Sequence, residues 1–429
     1  MNGHFDTIVV GAGPAGIAAA VCAAESGACV ALLDDNPAPG GQIWRRGAAQ
    51  SSAARAWLAR LEASKVIRMQ GWHVFEHPEH GVLLAECDSL VSSVGKECAE
   101  LRYDALILAT GARERFLPFP GWTLPNVMGV GGLDAMARGG LPLRGKRVVV
   151  AGTGPLLLAV SAHLAQHGAR VVAICEQAPL ARLIPFAIHL VTEPRKLVQA
   201  INFRAATAGA RFYPECWPVV AQGNDRLESV TLQQNGRRRH IACDYLACGF
   251  HLIPNLELPA LIGCRIENGF VAVNDILQSS IPGVFCVGEL TGIGGVEMAV
   301  LDGQIAGLAA AGLKSTARSL IERRNRGRRF VHALARTFQL DPALRNLPAD
   351  DTIVCRCEDV SFSALLKHVS ARDAKLHTRC GMGPCQGRIC GSAGEFLFGW
   401  LPDTVRPPIL TAKVASLGRS PQSQEQTIS

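Results

Sequence analysis

Thr7-Ile8-Val9-Val10-Gly11-Ala12-Gly13-Pro14-Ala15-Gly16 decides the fold. A short apolar strand runs straight into three glycines spaced G-x-G-x-x-G, and a small-residue helix is expected from there to about Glu25. Cys29 to Leu33 reads as a second buried strand, closed by Asp34-Asp35. This is a βαβ unit built to hold a dinucleotide. Gly11 permits the tight turn, Gly13 lets the backbone approach a pyrophosphate, and Gly16 lets helix and strand pack closely. The helix N-terminus, entered at Ala15, offers free N–H groups and about half a positive charge to the phosphates. Asp34 stands 23 positions after Gly11, the reach needed for an adenosine ribose.

Outward from that unit, the pattern begins again at Arg147-Val148-Val149-Val150-Ala151, followed by Gly152-Thr153-Gly154-Pro155-Leu156-Leu157. Its second strand, Arg170 to Ile174, leads to Glu176. Leu157 replaces the third glycine and is expected to push the helix away from its strand. Two readings stay open: a retained layer that binds nothing, or a site for a different nucleotide. Tight NAD(P)H binding is disfavoured.

The chain has 429 residues, 48% hydrophobic and 18% charged, enough for two to four domains with substantial cores. The formal charge of +7 does not make a nucleic-acid face, because residues 318–329 hold six Arg and one Glu and so account for +5 of it. No apolar run of about 18 residues suggests a membrane span. The first six residues carry no Lys or Arg, unlike a secretory leader, so a cytoplasmic location is expected, with attachment at the inner membrane surface left open.

Two later segments sharpen the first site. Tyr103-Asp104-Ala105-Leu106-Ile107-Leu108-Ala109-Thr110-Gly111 reads as a buried strand ending in a glycine turn, and Ile281 to Glu289 as another, ending in Gly288-Glu289. With Pro39-Gly40-Gly41-Gln42 after the second strand, residues 5–310 resemble the flavoproteins with two dinucleotide-binding domains, the class of ferredoxin reductases and thioredoxin-reductase-like enzymes. The resemblance implies bound FAD, with Thr110 and Gly111 lining the nucleotide, Gly41 and Gln42 in a flavin-side loop, and Glu289 on the ribityl chain, where Asp is commoner. Neither a Cys-x-x-Cys nor a Cys-x4-Cys redox motif is expected in the flavoprotein part, so thiol–disulfide chemistry is not expected. The ten cysteines of that part read as small buried hydrophobes.

The remaining five cysteines fall within 36 residues: Cys355-Arg356-Cys357-Glu358-Asp359-Val360, then Cys380-Gly381-Met382-Gly383-Pro384-Cys385-Gln386-Gly387-Arg388-Ile389-Cys390. Clustered thiolates suit an iron–sulfur cluster or a tetrahedral zinc. Arg356, Arg379 and Arg388 would offset the negative charge. The motif resembles the [2Fe–2S] domain of bacterioferritin-associated ferredoxin, which implies Cys355, Cys357, Cys385 and Cys390 as ligands, with Cys380 outside the set and an exchange between Cys380 and Cys385 open.

The expected architecture is therefore α/β, flavoprotein disulfide-reductase-like: two Rossmann-like domains plus a small C-terminal α-helical [2Fe–2S] domain. The expected boundaries are 1–115 with 241–315 for a discontinuous FAD domain and 116–240 for the degenerate domain. A basic helical connector follows over 316–350, then the cluster domain over 351–410 and a tail over 411–429, its last ten residues disordered. The connector's arginines read as a solvated face, an anion or partner-docking site being the sharper alternative.

To about residue 410 the whole chain is similar to the α subunits of heteromeric dye-linked amine dehydrogenases, the octopine and nopaline oxidase, hydrogen cyanide synthase and proline or D-hydroxyproline dehydrogenase type. That resemblance implies a D-amino-acid-oxidase-like β subunit carrying substrate and its own flavin, and in some assemblies a small γ subunit. It also implies electron transfer through FAD and [2Fe–2S] to a quinone or another acceptor. FMN at the subunit boundary, and ATP or no nucleotide in the second domain, belong to the same family. No catalytic residue is assigned: His163, His167, His189, His251 and His332 form no recognisable constellation and read as structural. The alternatives are a self-sufficient NAD(P)H-dependent oxidoreductase and a non-enzymatic electron-transfer module.

Overall fold

The computed structural model describes residues 3–44, 51–87, 98–401 and 405–418. Strand β1 (Gly3–Val10), helix α1 (Pro14–Glu25) and strand β2 (Val30–Asp34) form the expected unit. Further along come β3 (Ile67–Gln70), β4 (Trp72–Glu76), β5 (Val82–Cys87) and β6 (Cys98–Leu108). The sheet order is β3-β2-β1-β6-β5-β4, with the strand Val284–Cys286 laid parallel along β6. β1 pairs in parallel with both β2 and β6, so Val10 faces Leu33 on one side and Leu108 on the other. All five residues of β2 are buried, as a parallel strand covered on both faces requires.

Small residues let the covering helices come close. On the helix Val296–Ala310, a Cβ on Gly303 would lie 2.1 Å from the Ala15 carbonyl oxygen, and one on Gly307 2.3 Å from that of Ala19. A second lock joins that helix to the arginine-rich helix Ile321–Thr337. Arg324 is 3% exposed, and its Nε donates to Asp302 Oδ1 at 2.7 Å. The Thr291 hydroxyl donates to the other Asp302 oxygen at 3.2 Å. The expectation of a solvated arginine face thus fails at Arg324, whose charge is committed to a buried carboxylate, while Arg323, Arg326, Arg328 and Arg329 are exposed.

A second, five-stranded parallel sheet runs in the order Arg211–Pro214, Arg170–Glu176, Arg147–Thr153, Tyr245–Phe250, Val127–Gly129. Here the tight approach is between strands, since a Cβ on Gly152 would lie 1.8 Å from the Gly249 carbonyl oxygen. Leu157 is buried in the core beside Val148, Val150 and Val160, occupying the place a third glycine would leave empty.

The chain divides into two compact units: Met1–Arg113 with Pro254–Val331 and Thr404–Ser429, and Glu114–Ile253 with His332–Asp403. Two boundaries therefore differ from expectation. Residues 245–250 belong to the second sheet, because a short buried apolar strand fits either sheet by pattern and its pairing with Arg147–Thr153 decides. The cysteine module lies in the second unit, whereas residues 405–418 return to the first, where Ile409 N donates to Phe75 O and Lys413 N to Glu86. The expected disorder of the last ten residues falls outside the described residues. Among these, no helix is long and apolar enough to cross a membrane.

Candidate functional site

The first unit gathers most of the expected nucleotide-binding residues at the carboxyl ends of β1, β2, β6 and Val284–Cys286, the usual crevice of an open parallel sheet. Gly11 has φ of +102°, and a Cβ there would lie 2.3 Å from the Ala109 carbonyl oxygen. On Gly16 it would lie 1.8 Å from the Gly11 carbonyl oxygen, so glycine is required where helix, turn and strand meet. Gly13 and Gly111 face open space instead. Asp34 is buried and ties the turn together: one oxygen accepts from Ala12 N at 2.5 Å, the other from Asn36 N at 2.8 Å. The loop before Gln42 folds back on the turn through Gly40 N to Ala12 O at 2.8 Å, and Gly41 is so close that a Cβ would lie 2.9 Å from Gly13 Cα. Gln42 itself is exposed.

Sequence reasoning missed Asn255. Its side-chain amide donates to Thr110 O at 2.7 Å, its carbonyl accepts from the Thr110 hydroxyl at 2.9 Å, and its backbone N–H donates to Gly111 O at 3.0 Å. The Pro254-Asn255 pair signals a turn, but nothing in it points 145 residues back along the chain. On the opposite side, Gly288 packs towards Ala15, where a Cβ would stand 3.1 Å from the alanine methyl. Glu289 Oε1 accepts from Gly295 N at 3.3 Å, while Oε2 is buried without a hydrogen-bond partner among the described residues. Burial raises this carboxyl to about 7, against the backbone donors of Gly295 and Gly294.

In the second unit the chain itself covers the acid that corresponds to Asp34, while Gly154 faces open space. Glu176 accepts from the Thr153 hydroxyl at 2.8 Å, Gly154 N at 2.7 Å and Ala178 N at 2.8 Å, and burial lifts it to about 7. Over this acid lies the segment 338–341. Gln177 donates to Gln339 O at 3.2 Å and accepts from Asp341 N at 3.0 Å, Arg182 donates to Gln339 O at 3.0 Å, and Phe338 meets Phe186 edge to face at 5.1 Å.

The same unit carries the cysteine module, anchored by Trp122 Nε1 to Ile353 O at 2.6 Å and Arg115 to Glu395 at 3.2 Å. The sulfurs of Cys355, Cys380 and Cys390 lie within 4.8 Å of one another. Thiols of Cys380 and Cys390 donate to Cys355, aided by Gly381 and Glu358 N–H groups, and hold its thiol down at about 2. Cys380 is correspondingly pushed up to about 12, and Cys390 upward too. Cys357 and Cys385 form the second group, hydrogen-bonded to each other, and each group acts electrostatically on the other. Cys380, left outside the expected ligand set, thus sits closest to Cys355 and Cys390. Gly381 (φ +82°) and Gly387 (φ +77°) fold the 380–390 loop over on itself, which spacing alone does not disclose. Gly383 approaches so closely that a Cβ would lie 2.3 Å from Cys357 Cβ. Arg379 is paired with Glu358 at 2.7 Å.

A family model described as pyridine nucleotide-disulphide oxidoreductase matches residues 5–309. The chain belongs to that family. It is 33% identical to an opine oxidase subunit of Rhizobium meliloti (strain 1021), an alignment covering 94% of this chain and 96% of the relative. It is 31% identical to hydrogen cyanide synthase subunit HcnB of Pseudomonas protegens, over 90% of each chain. The crystal structure of L-proline dehydrogenase from P. horikoshii shares the fold, with a TM-score of 0.65 at 17% identity over 97% of this chain and 80% of that one.

As a pyridine nucleotide-disulphide oxidoreductase the chain is a flavoprotein oxidoreductase, and its first crevice fits FAD: backbone-tight glycines, open space at Gly13 and Gly111, and a buried acceptor at Glu289 with no donor for its second oxygen among the described residues. The disulphide half of the family name meets buried thiols: Cys264 shares a hydrogen bond with Cys286 and Cys175 with Cys216, all four inside the core. Cys243 and Cys248 do have Cys-x4-Cys spacing, but both are buried, and burial pushes Cys243 up to about 12 and Cys248 upward as well. Of the ten cysteines expected to be buried, eight are; Cys29 is exposed and Cys98 half-buried. The three converging sulfurs of Cys355, Cys380 and Cys390, with backbone N–H groups of Gly381 and Glu358 aimed at Cys355 and the Cys357–Cys385 pair acting on them, fit an iron–sulfur cluster.

Proposed function

We propose that this chain is the electron-transferring α subunit of a heteromeric flavoenzyme that oxidises the C–N bond of an amino acid or opine. It takes electrons from a companion flavin-bearing subunit, passes them through FAD and a [2Fe–2S] cluster, and delivers them to a quinone or another acceptor. The observation that carries this reading is one chain holding both a flavin-type crevice, with a Glu289 oxygen unpaired among the described residues, and a cluster of three converging cysteines beside a second cysteine pair. The names of its two relatives, subunits of opine oxidase and hydrogen cyanide synthase, support the heteromer and the substrate class. The segment 338–341 over Glu176 argues against NAD(P)H as the electron source.

FAD would convert between electron pairs and single electrons, and the cluster would carry single electrons onward. The chain's own part is to hold them. Gly11, Gly13 and the N-terminus of α1 would receive the pyrophosphate, Asp34 the ribose and Glu289 the ribityl chain. Cys355 and Cys357 would hold the cluster with two of the three downstream thiols, Cys385 and Cys390 by resemblance, Cys380 being near enough to Cys355 and Cys390 to compete. A cytoplasmic chain keeps these thiols reduced and available.

The purified chain tests this directly. One FAD per chain, absorption above 400 nm beyond the flavin's own, and an electron-spin signal after chemical reduction are expected. The chain should oxidise no amino acid or opine alone, and NADH should leave the flavin oxidised. Zinc in place of iron, or rapid bleaching by NADH, overturns the reading.

A further inference from the structure

The helices Leu180–Leu190 and Pro194–Ala206 are almost unpacked: the first buries only Phe186 and the second buries nothing. Leu180, Ile184, Ile188 and Val191 are exposed by 54%, 55%, 67% and 66%, and Val198 and Ile201 by 56% each. At about 100° per residue the first four fall within about 80° of one another, so they form one continuous stripe. Between 180 and 192 the one Arg, Lys, Asp or Glu is Arg182, half-buried and donating to Gln339 O at 3.0 Å. The adjoining flank is basic: Arg195, Lys196 and Arg204 against the single acid Glu193. An aliphatic centre with a charged rim is the anatomy of a protein–protein interface.

We propose that this two-helix face is where the companion subunit docks, through an apolar patch rimmed by carboxylates. The inference rests on the heteromeric reading above and adds the surface to it. Charge selects the occupant: in a two-fold pairing of this chain with itself, basic flanks would meet basic flanks, which the rim disfavours. A carboxylate-rimmed partner meets them with the opposite sign.

The test uses the full chain co-expressed with a D-amino-acid-oxidase-like flavin-bearing subunit, the companion that the proposed function calls for, and compares the native chain with Ile184→Asp/Ile188→Asp and Arg195→Glu/Lys196→Glu. Far-ultraviolet dichroism and bound flavin check that the variants fold, which the exposure of these positions favours. The aspartate pair should weaken association by about tenfold or more, and the charge reversals should slow association and flatten its salt dependence. A photo-crosslinker at position 188 should attach to the companion. Unchanged association of the aspartate pair, a crosslink to a second copy of this chain, or loss of flotation on phosphatidylglycerol vesicles as the variants' only defect would overturn the assignment of this face. Failure of the native chain to form any complex would instead overturn the heteromeric reading, and the docking face with it.

Discussion

Glu289 and Asp302 lie near each other in the sequence and show two ways in which a buried carboxylate is held. Glu289 has no cation beside it among the described residues: burial raises it to about 7, so on folding it takes up a proton at pH values where the unfolded chain has lost one. Stability is greatest below the unfolded value and falls as pH rises towards 7. The gap from 4.5 to about 7 corresponds to about 3 kcal/mol. Denaturant unfolding of the apoprotein at pH 5.5 and 7.5 should therefore show a loss, and Glu289→Gln should remove part of it; an unchanged slope would count against the unpaired carboxyl. Glu176, also raised to about 7, contributes to the same window, and Glu114 and Asp302, both raised by burial, add to the remainder. Asp302 is different, because Arg324 is buried with it. Arg324→Ala leaves a carboxylate buried without its cation and should cost about 3–5 kcal/mol, whereas Arg324→Met with Asp302→Leu removes both charges and should cost clearly less. If the double change is as costly as the sum of the single ones, the pair is not coupled. Neither role is legible in the sequence. Glu289 is placed by its motif, but its unsatisfied oxygen is a property of the fold, and Arg324 looks like one more arginine in a basic run.

Among the elements, short-range spacing carried the first βαβ unit well, because a glycine turn, its helix and its acid are fixed by steric rules acting over a few residues. Long-range pairing was not legible: the strand Tyr245–Phe250 has a composition that either sheet would accept, and segment 338–341 has no motif at all. Both matter to function. The glycine seam between α1 and the helix Val296–Ala310 positions the helix end that would receive a pyrophosphate. Gly303→Ala puts a methyl about where the Ala15 carbonyl already stands, 2.1 Å away, so α1 must shift. A stability loss of about 1–3 kcal/mol is expected, together with weaker FAD retention on gel filtration. Stability lost with FAD affinity unchanged would show that the seam does not position the turn. In the second unit, Gln177→Ala removes hydrogen bonds to Gln339 and Asp341 and should loosen the segment over Glu176. Faster hydrogen exchange at 338–341 is the expected sign, and no change there would mean the segment is held by Arg182, the Thr153 hydroxyl and Phe338 packing without Gln177.

At the scale of the molecule, the division into two units separates the flavin residues from the cysteine cage. Every expected nucleotide-binding residue, from Gly11 to Glu289, lies in the first unit, and all five clustered cysteines lie in the second. Removal of the proposed cluster is therefore expected to leave the flavin crevice intact. Cys355→Ser and Cys357→Ser should abolish the cluster's absorption and electron-spin signal while FAD content stays near one per chain. Among the downstream thiols, one of Cys380, Cys385 and Cys390 is surplus to a four-ligand site, and its serine variant should keep the cluster with an altered signal. The family resemblance implied Cys380 as the surplus, whereas the fold brings it beside Cys355 and Cys390 and leaves Cys385 with Cys357. If Cys380→Ser loses the cluster and Cys385→Ser retains it, the fold has overruled the resemblance; the reverse result upholds it. Loss of FAD together with the cluster in Cys355→Ser would contradict the independence of the two units, and with it the division of labour on which the electron-transfer reading depends.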